Sequence, residues 1–366
     1  MAPFKVNLAS GLAVASYMIY RYPKTTLPVL KYLAYIGSTV VGLTAAGLWY
    51  YQQSMLYPAS FPEGSRRDVP NPYEVFGMPY TEVTLTTPDK VSLAAYLIPA
   101  RPPFEAKSLL ALRSAAKAKL GVRGNNEKEV IDPAVAEGKL GKDGEDYAKS
   151  RPTVIMYHAN AGNMGHRLPL ARVFWESIGC NVFMLSYRGY GKSEGTPSEK
   201  GLRIDAQTAL DYVRQHPLLS KTKVIVYGQS IGGCVSVDVA SRNGDKVDAV
   251  IIENAPFSLK SLIPFVMPLA GPFLHIPFLL SEKWDAQLSV PSIPPQTPFL
   301  ALVGGKDEIV HSTQMPMYKK LREKAGGKIT WKLFPNGQHN DTYAQPGYWQ
   351  AVKDFIEEEV TKGEKK

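Results

Sequence analysis

One stretch limits the folds open to this chain more than any other. Residues 224–233 read Val-Ile-Val-Tyr-Gly-Gln-Ser-Ile-Gly-Gly. A short β-branched run ends in Gly-x-Ser-x-Gly and passes into Cys-Val-Ser-Val-Asp-Val-Ala, which can continue as a helix. That is strand, sharp turn, helix. A serine on such a turn stands above the sheet with its hydroxyl exposed. Gly228 and Gly232 remove side chains that would collide as helix packs on strand. The N–H of Ile231 falls at a helix start, where donors lack an intrahelical partner, so it can hold a developing oxyanion. An ordinary Gly-rich turn shows the same local pattern, so the reading depends on what the rest of the chain supplies.

The rest supplies alternation. Residues 81–86 alternate apolar and polar as a half-buried strand does, and a Thr-Pro-Asp-Lys turn returns the chain along 91–98. Apolar runs come next at 153–157, 181–185, 250–252, 299–303 and 329–334, with helical spacing at 168–178 and 204–214. Strands alternating with helices over short connections predict a mostly parallel, doubly wound sheet. Length and an apolar content of 45% suit one large α/β domain with appendages.

A serine hydroxyl is a poor nucleophile until a histidine takes its proton and a carboxylate fixes that histidine's tautomer. In such a sheet the order is serine, acid, histidine, with the last two on loops after later strands. After 299–303 comes Gly-Gly-Lys-Asp-Glu-Ile-Val, which makes Asp307 the candidate acid, with Glu308, expected to face solvent, as its competitor. After 329–334 comes Pro-Asn-Gly-Gln-His-Asn-Asp, which makes His339 the candidate base. Among the other five histidines, His158 ends a strand and is expected to brace its loop. His216 precedes a proline, His275 lies in an apolar Pro-rich region, and His166 and His311 open helices. The loop from His158 should bring the second oxyanion donor, the Asn160 N–H, to join that of Ile231.

Other chemistries find little support. The net charge of +9 comes without basic clusters interleaved by aromatics, so it predicts a solvated surface attracted to anionic lipid headgroups and no nucleic-acid partner. Cys180 and Cys234, the two cysteines, read as reduced core residues, and no metal or structural zinc is expected. The turn Ser-Tyr-Arg-Gly-Tyr-Gly-Lys-Ser at 186–193 lacks a phosphate-loop pattern and reads as structural. No cofactor is implied.

The first 60 residues differ in composition from the remainder of the chain and form a candidate membrane anchor. Residues 33–50 carry no charge, and as a helix they reach about 27 Å, close to the hydrocarbon thickness of a bilayer. Tyr32 and Tyr35 at one end and Trp49, Tyr50 and Tyr51 at the other suit its interfaces. The competing reading is an apolar helix docked on the globular domain. The earlier run at 6–20 fits a second short span, an interfacial helix or part of a signal peptide, with no cleavage expected. Lys5, Arg21, Lys24 and Lys31 precede the span. Arg66 and Arg67 come after it, beside Glu63 and Asp68. The positive-inside rule then predicts a single-pass protein of the endoplasmic reticulum or another endomembrane with its globular domain lumenal. Against this, the glycosylation pattern Asn-Asp-Thr at 340–342 abuts His339, and a glycan there would obstruct the site. Residues 102–151 are rich in lysine, alanine, glutamate and glycine and predict a largely mobile insertion, with helix near 109–120.

Together, His-Ala-Asn-Ala-Gly-Asn at 158–163, the 186–193 turn, Gly-Gln-Ser-Ile-Gly-Gly at 228–233, Gly-Lys-Asp-Glu-Ile-Val at 305–310 and Gly-Gln-His-Asn-Asp at 337–341 resemble the α/β-hydrolase superfamily. The resemblance is closest to its membrane-anchored BEM-type (bud-emergence-protein-like) members, in the serine aminopeptidase/lysophospholipase-like class. It covers about residues 75–360 and the anchor. It implies an α/β-hydrolase fold with the triad Ser230, Asp307 and His339 and a cap over the site, which falls here on 256–297. That region is proline-rich and apolar, and it fits an acyl-binding pocket, a bilayer contact or simple packing on the core. Such proteins have glycine where this chain has Ala159, whose methyl group restricts the loop. The expected activity is cleavage of an ester or thioester of a lipid or acylated small molecule through an acyl-enzyme. The alternatives are an amidase or peptidase on small peptides and a catalytically silent scaffold at the membrane.

Overall fold

The computed structural model of the chain describes residues 16–17, 19–103, 140–276 and 279–362. Most of the apolar run at 6–20, and the helix expected near 109–120, lie outside these residues. An 8-stranded sheet runs in the order β1-β2-β4-β3-β5-β6-β7-β8. Its strands are β1 (Thr81–Thr86), β2 (Ser92–Ile98), β3 (Thr153–Tyr157), β4 (Asn181–Leu185), β5 (Val224–Gln229), β6 (Ala249–Glu253), β7 (Phe299–Gly304) and β8 (Thr330–Phe334). Strand β2 pairs antiparallel with β1 and β4, and every other pairing is parallel.

Strand burial explains why the apolar runs were legible. Strands β3 to β7 are buried throughout, as expected of parallel strands covered on both faces. Edge strand β1 buries only Val83 and Leu85. Alternate residues feed two cores. Ile155, Val226 and Val250 belong to the one covered by α5 (Glu199–Gln215), α6 (Ile231–Arg242) and α9 (Gln314–Lys324). Val154, Ile225 and Ile251 belong to the other, covered by α4 (Leu168–Arg172) with its π-helical continuation Val173–Ile178, and by α10 (Tyr348–Phe355). Helix α5 starts earlier than its apolar spacing suggested, because the Ser198 hydroxyl caps it by accepting from Gly201 N at 3.1 Å.

The topology fixes where a site can form. From β3 the chain moves outward to β4, then crosses back over β3 to β5. The order therefore reverses between β3 and β5, and ligands of such sheets bind at the carboxyl ends of the strands flanking that reversal. Ser230 comes directly after β5 and His158 directly after β3.

Two segments differ from expectation. The helix expected over 33–50 is longer: α1 spans Pro23–Leu56. None of its residues is fully buried, and Tyr35, Leu43 and Tyr50 are each about 70% exposed, while Leu48 and Leu56 near its end pack against the globular domain. The short helix α2 (Pro72–Phe76) comes next. The last part of the expected insertion is helical. Residues Lys142–Lys149 form α3, and the buried Asn181 amide fastens it by donating to Ala148 O at 2.9 Å and Arg151 O at 3.1 Å. Between β6 and β7 the chain forms α7 (Leu259–Val266), a 3-10 run (Pro268–His275) and α8 (Ala286–Ser289).

The sheet and α6 meet at backbone distance. A Cβ on Gly232 would lie 2.1 Å from Tyr157 O, and one on Gly228 would lie 2.0 Å from Gly232 O. Gly232→Ala should therefore cost about 3 kcal/mol or more, because backbone on both sides must part. Thermal unfolding of the full chain measures this; an unchanged Tm would contradict the packing described.

Candidate active site

Ser230 is the joint between β5 and α6, with φ 55° and ψ −124°. A β-carbon resists that region, at a cost of about 1–3 kcal/mol. Two bonds hold the turn: Ser230 N donates to Glu253 O at 2.8 Å, and Gly233 N donates to Ser230 O at 2.9 Å. The turn pushes the side chain off the strand end, and the residue stays 8% exposed.

The loops after β7 and β8 meet beside it. His339 Nδ1 donates to both carboxylate oxygens of Asp307, at 2.9 and 3.0 Å, with both side chains nearly buried. Asp307 Oδ1 also accepts from the N–H groups of Ile309 and Val310 at 2.9 and 2.8 Å. Glu308 is exposed, as expected, yet its carboxylate accepts from His339 N at 3.1 Å. It holds the backbone of the histidine while Asp307 holds the ring. Among the described residues no hydrogen bond joins Ser230 Oγ to the imidazole; such bonds are commonly long or misaligned before substrate arrives.

Three residues that sequence reasoning passed over tie the loops to the serine. Gln229 Nε2, next to Ser230 in the chain, donates to His339 O at 3.1 Å and to Glu253 Oε1 at 3.3 Å. The other Glu253 oxygen accepts from the hydroxyls of Tyr227 and Tyr348. Burial raises the Glu253 carboxyl above its usual range. Asn254, at φ 46°, donates through its amide to Gln338 O, His339 O and Thr342 Oγ1 and accepts from Gly304 N. One side chain thus joins the ends of β6 and β7 to the histidine loop. The only signal in the sequence was an amide directly after a buried strand. Thr342, the third residue of the glycosylation pattern, is fully buried, with its hydroxyl donating to Gln338 O at 2.6 Å.

The loop after β3 is held by tyrosines from the 186–193 turn. Tyr187 OH donates to His158 O at 3.1 Å, and Tyr190 OH donates to Asn160 O at 2.8 Å. His158 braces the loop from within: Nδ1–H donates to Ala159 O at 2.7 Å, and Nε2 accepts from Tyr187 N at 3.3 Å. A trans peptide sets its C=O and N–H on opposite sides. Fixing Ala159 C=O toward the ring therefore turns Asn160 N–H the other way. Ala159 has no positive φ, so its methyl group is accommodated. The turn itself is structural, as expected: Arg188 pairs with buried Asp205 at 2.8 Å and with Asp89 at 2.7 Å. Among the described residues no group of three or more His, Cys, Asp or Glu is arranged to hold a metal, and Cys180 and Cys234 are buried and free.

The sheet order and a serine on a strained turn at the switch point define an α/β hydrolase. A family model for the alpha/beta hydrolase fold matches residues 152–269. The chain is 42% identical over 331 residues to the fission yeast protein bem46, covering 90% of this chain and 94% of that one. It is 33% identical to an uncharacterized membrane protein of budding yeast, YNL320W, over 86% and 92% of the two chains. Among solved structures it resembles an esterase of Pyrococcus furiosus with a TM-score of 0.55, at 16% identity, over 80% and 97% of the chains. The chain belongs to the α/β-hydrolase fold family, among its Bem46-type members. The apolar α1 and the membrane-protein relative together suggest single-pass anchoring.

Burial pushes His158 down to about 3. A histidine depressed in the folded state takes up its proton more readily when unfolded, so its contribution is full above about pH 6.5 and shrinks toward pH 3. The stability of the native protein relative to His158→Phe should therefore fall by roughly 1.4 kcal/mol per pH unit across that window. Denaturant unfolding of both proteins at several pH values measures it; a pH-independent difference would show that His158 is not held neutral.

Proposed function

We propose that the protein is a membrane-anchored serine hydrolase that cleaves an ester or thioester through an acyl-enzyme. The observation that supports this most is the Asp307–His339 pair at 2.9 Å, tethered through Gln229 to the strained turn of Ser230. Ser230 Oγ bonds to the acyl carbon while its proton passes to His339 Nε2. Asp307 keeps Nδ1 protonated and steadies the imidazolium. The N–H groups of Asn160 and Ile231 hold the oxyanion, each typically worth about 3 kcal/mol of barrier. His339 then gives its proton to the departing alcohol or thiol as the acyl–heteroatom bond breaks. Water repeats the sequence and leaves as part of the carboxylic acid.

The substrate class we favour is a lipid or another acylated molecule, since the apolar segment after β6 stands beside an anchor helix. The solved esterase neighbour agrees with carboxylic ester cleavage. From the basic residues before the span, the orientation we favour has the N-terminal flank in the cytosol and the hydrolase domain on the lumenal side. Protease added outside sealed microsomes should leave that domain intact; its digestion would reverse the orientation.

A fluorophosphonate probe tests the chemistry. Ser230→Ala should abolish labelling, and labelling that persists would discard the nucleophile. Asp307→Asn should lower kcat on an activated ester by about 10⁴, whereas Glu308→Gln, which touches only the histidine backbone, should lower it far less. The reverse order would make Glu308 the acid.

A further inference from the structure

The C-terminal turns of α1 are part of a groove. Leu48, Met55 and Leu56 form one wall, and Ile263, Met267 and Leu274, from α7 and the 3-10 run after it, form the other. The free space, counted with its open mouth, is about 520 Å³. The polar residue in the lining is Gln52, and both ends of its amide are engaged: Nε2 donates to Leu279 O at 3.1 Å, and Oε1 accepts from Ser281 N at 2.9 Å. Among the described residues the remaining lining is apolar. Leu48 to Leu56 covers about 12 Å of helix, and Leu48 lies within the uncharged stretch 33–50, so one end of the groove lies at bilayer depth. At its other end Leu56 O accepts from the side chain of Asn160 at 3.4 Å, on the loop that carries a candidate oxyanion donor. Gly162 N of the same loop donates to Phe61 O at 2.7 Å, just past the helix.

The walls are fixed to one another. The Tyr57 hydroxyl donates to Glu282 Oε2 at 2.6 Å, and Trp284 Nε1 donates to Tyr57 OH at 2.9 Å. Gln53 Nε2 reaches Glu282 Oε1 at 3.4 Å. Glu282 also accepts from Glu199 N at the start of α5. Anchor, cap segment and hydrolase core therefore meet at one buried knot. On the outer side Phe265 and Val266 stay about half exposed, an apolar rim suited to lipid.

We infer that the anchor helix is a wall of the acyl-chain site: the chain of a bilayer lipid ester lies between α1 and the cap segment, entering from the membrane at Leu48 and reaching Ser230 past Leu56. This rests on the serine-hydrolase reading. It adds that the membrane span is a substrate-binding element as well as a tether.

The test uses the full chain in phosphatidylcholine vesicles and two fluorophosphonates. One carries a short alkyl group, the other a hexadecyl chain with a diazirine near its end. In labelling, Ser230 Oγ bonds to phosphorus, fluoride leaves, and the serine proton departs through His339. After photolysis the long probe should crosslink to peptides from 48–56 or 263–274. Exclusive crosslinking elsewhere in the chain, or to vesicle lipid alone, overturns the groove. Leu48→Trp and Met267→Trp, which fill it from opposite walls, should each slow long-probe labelling about tenfold relative to short-probe labelling, as loss of roughly two buried methylenes would. An unchanged ratio in a variant that still labels overturns the groove alone. If a variant fails to label at all, the native crosslink and the other variant decide. Absence of Ser230 labelling by either probe in the native protein removes the serine-hydrolase reading, and the groove with it.

Discussion

The structure depends on backbones packed closer than side chains permit. Where β5 turns into α6, the carbonyls of Tyr157 and Gly232 fill the space that β-carbons on Gly232 and Gly228 would occupy. That approach makes the turn sharp enough to hold Ser230 at a positive φ, and the strain is met by the all-buried strands around it. A looser turn would lay the serine down along the helix. The tight one lifts its hydroxyl over the carboxyl edge of the sheet, at the switch point where the topology opens a crevice.

A serine in place is insufficient without loops held at the same edge. The chain does this with hydrogen bonds from buried side chains. Gln229 and Asn254 share the carbonyl of His339, Glu253 sits beneath them with two tyrosines, and His158 aims the Asn160 peptide. Nearly all of these groups are withdrawn from water, where each bond is electrostatically stronger and each loss leaves a partner unsatisfied. The candidate nucleophile and base are thereby positioned by side chains outside the proposed triad.

How much could be read from the residues is a consequence of this physics. Strands β3 to β7 announce themselves because burial on both faces demands continuous apolar runs. Their bounds agree with expectation to within a residue or so. The proximity of Asp307 and His339 was legible because Asp307 comes just after buried β7 and His339 a few residues after its parallel neighbour, the edge strand β8. The positioning layer was not, since Gln229 and Asn254 look in sequence like any polar residues at a strand end. The order in Lys142–Lys149 was hidden for a related reason: it is fixed by one amide, Asn181, more than thirty residues away. The length of α1 was understated because Lys24 and Lys31 on one side and the polar Gln52 and Gln53 on the other bound the apolar run without ending the helix.

The anchor and the hydrolase are joined through Tyr57, Glu282 and Trp284, so the reactive edge has a set relation to the end of α1. The central claim is that Ser230 becomes an acyl acceptor because His339 and two backbone amides converge on it. A crystal structure of the full chain carrying a phosphonate adduct examines this most directly. The account predicts phosphorus on Ser230 Oγ, with a phosphonyl oxygen about 2.7–3.1 Å from both Asn160 N and Ile231 N. An adduct whose oxygen turns away from both amides, or one formed on another residue, would contradict it.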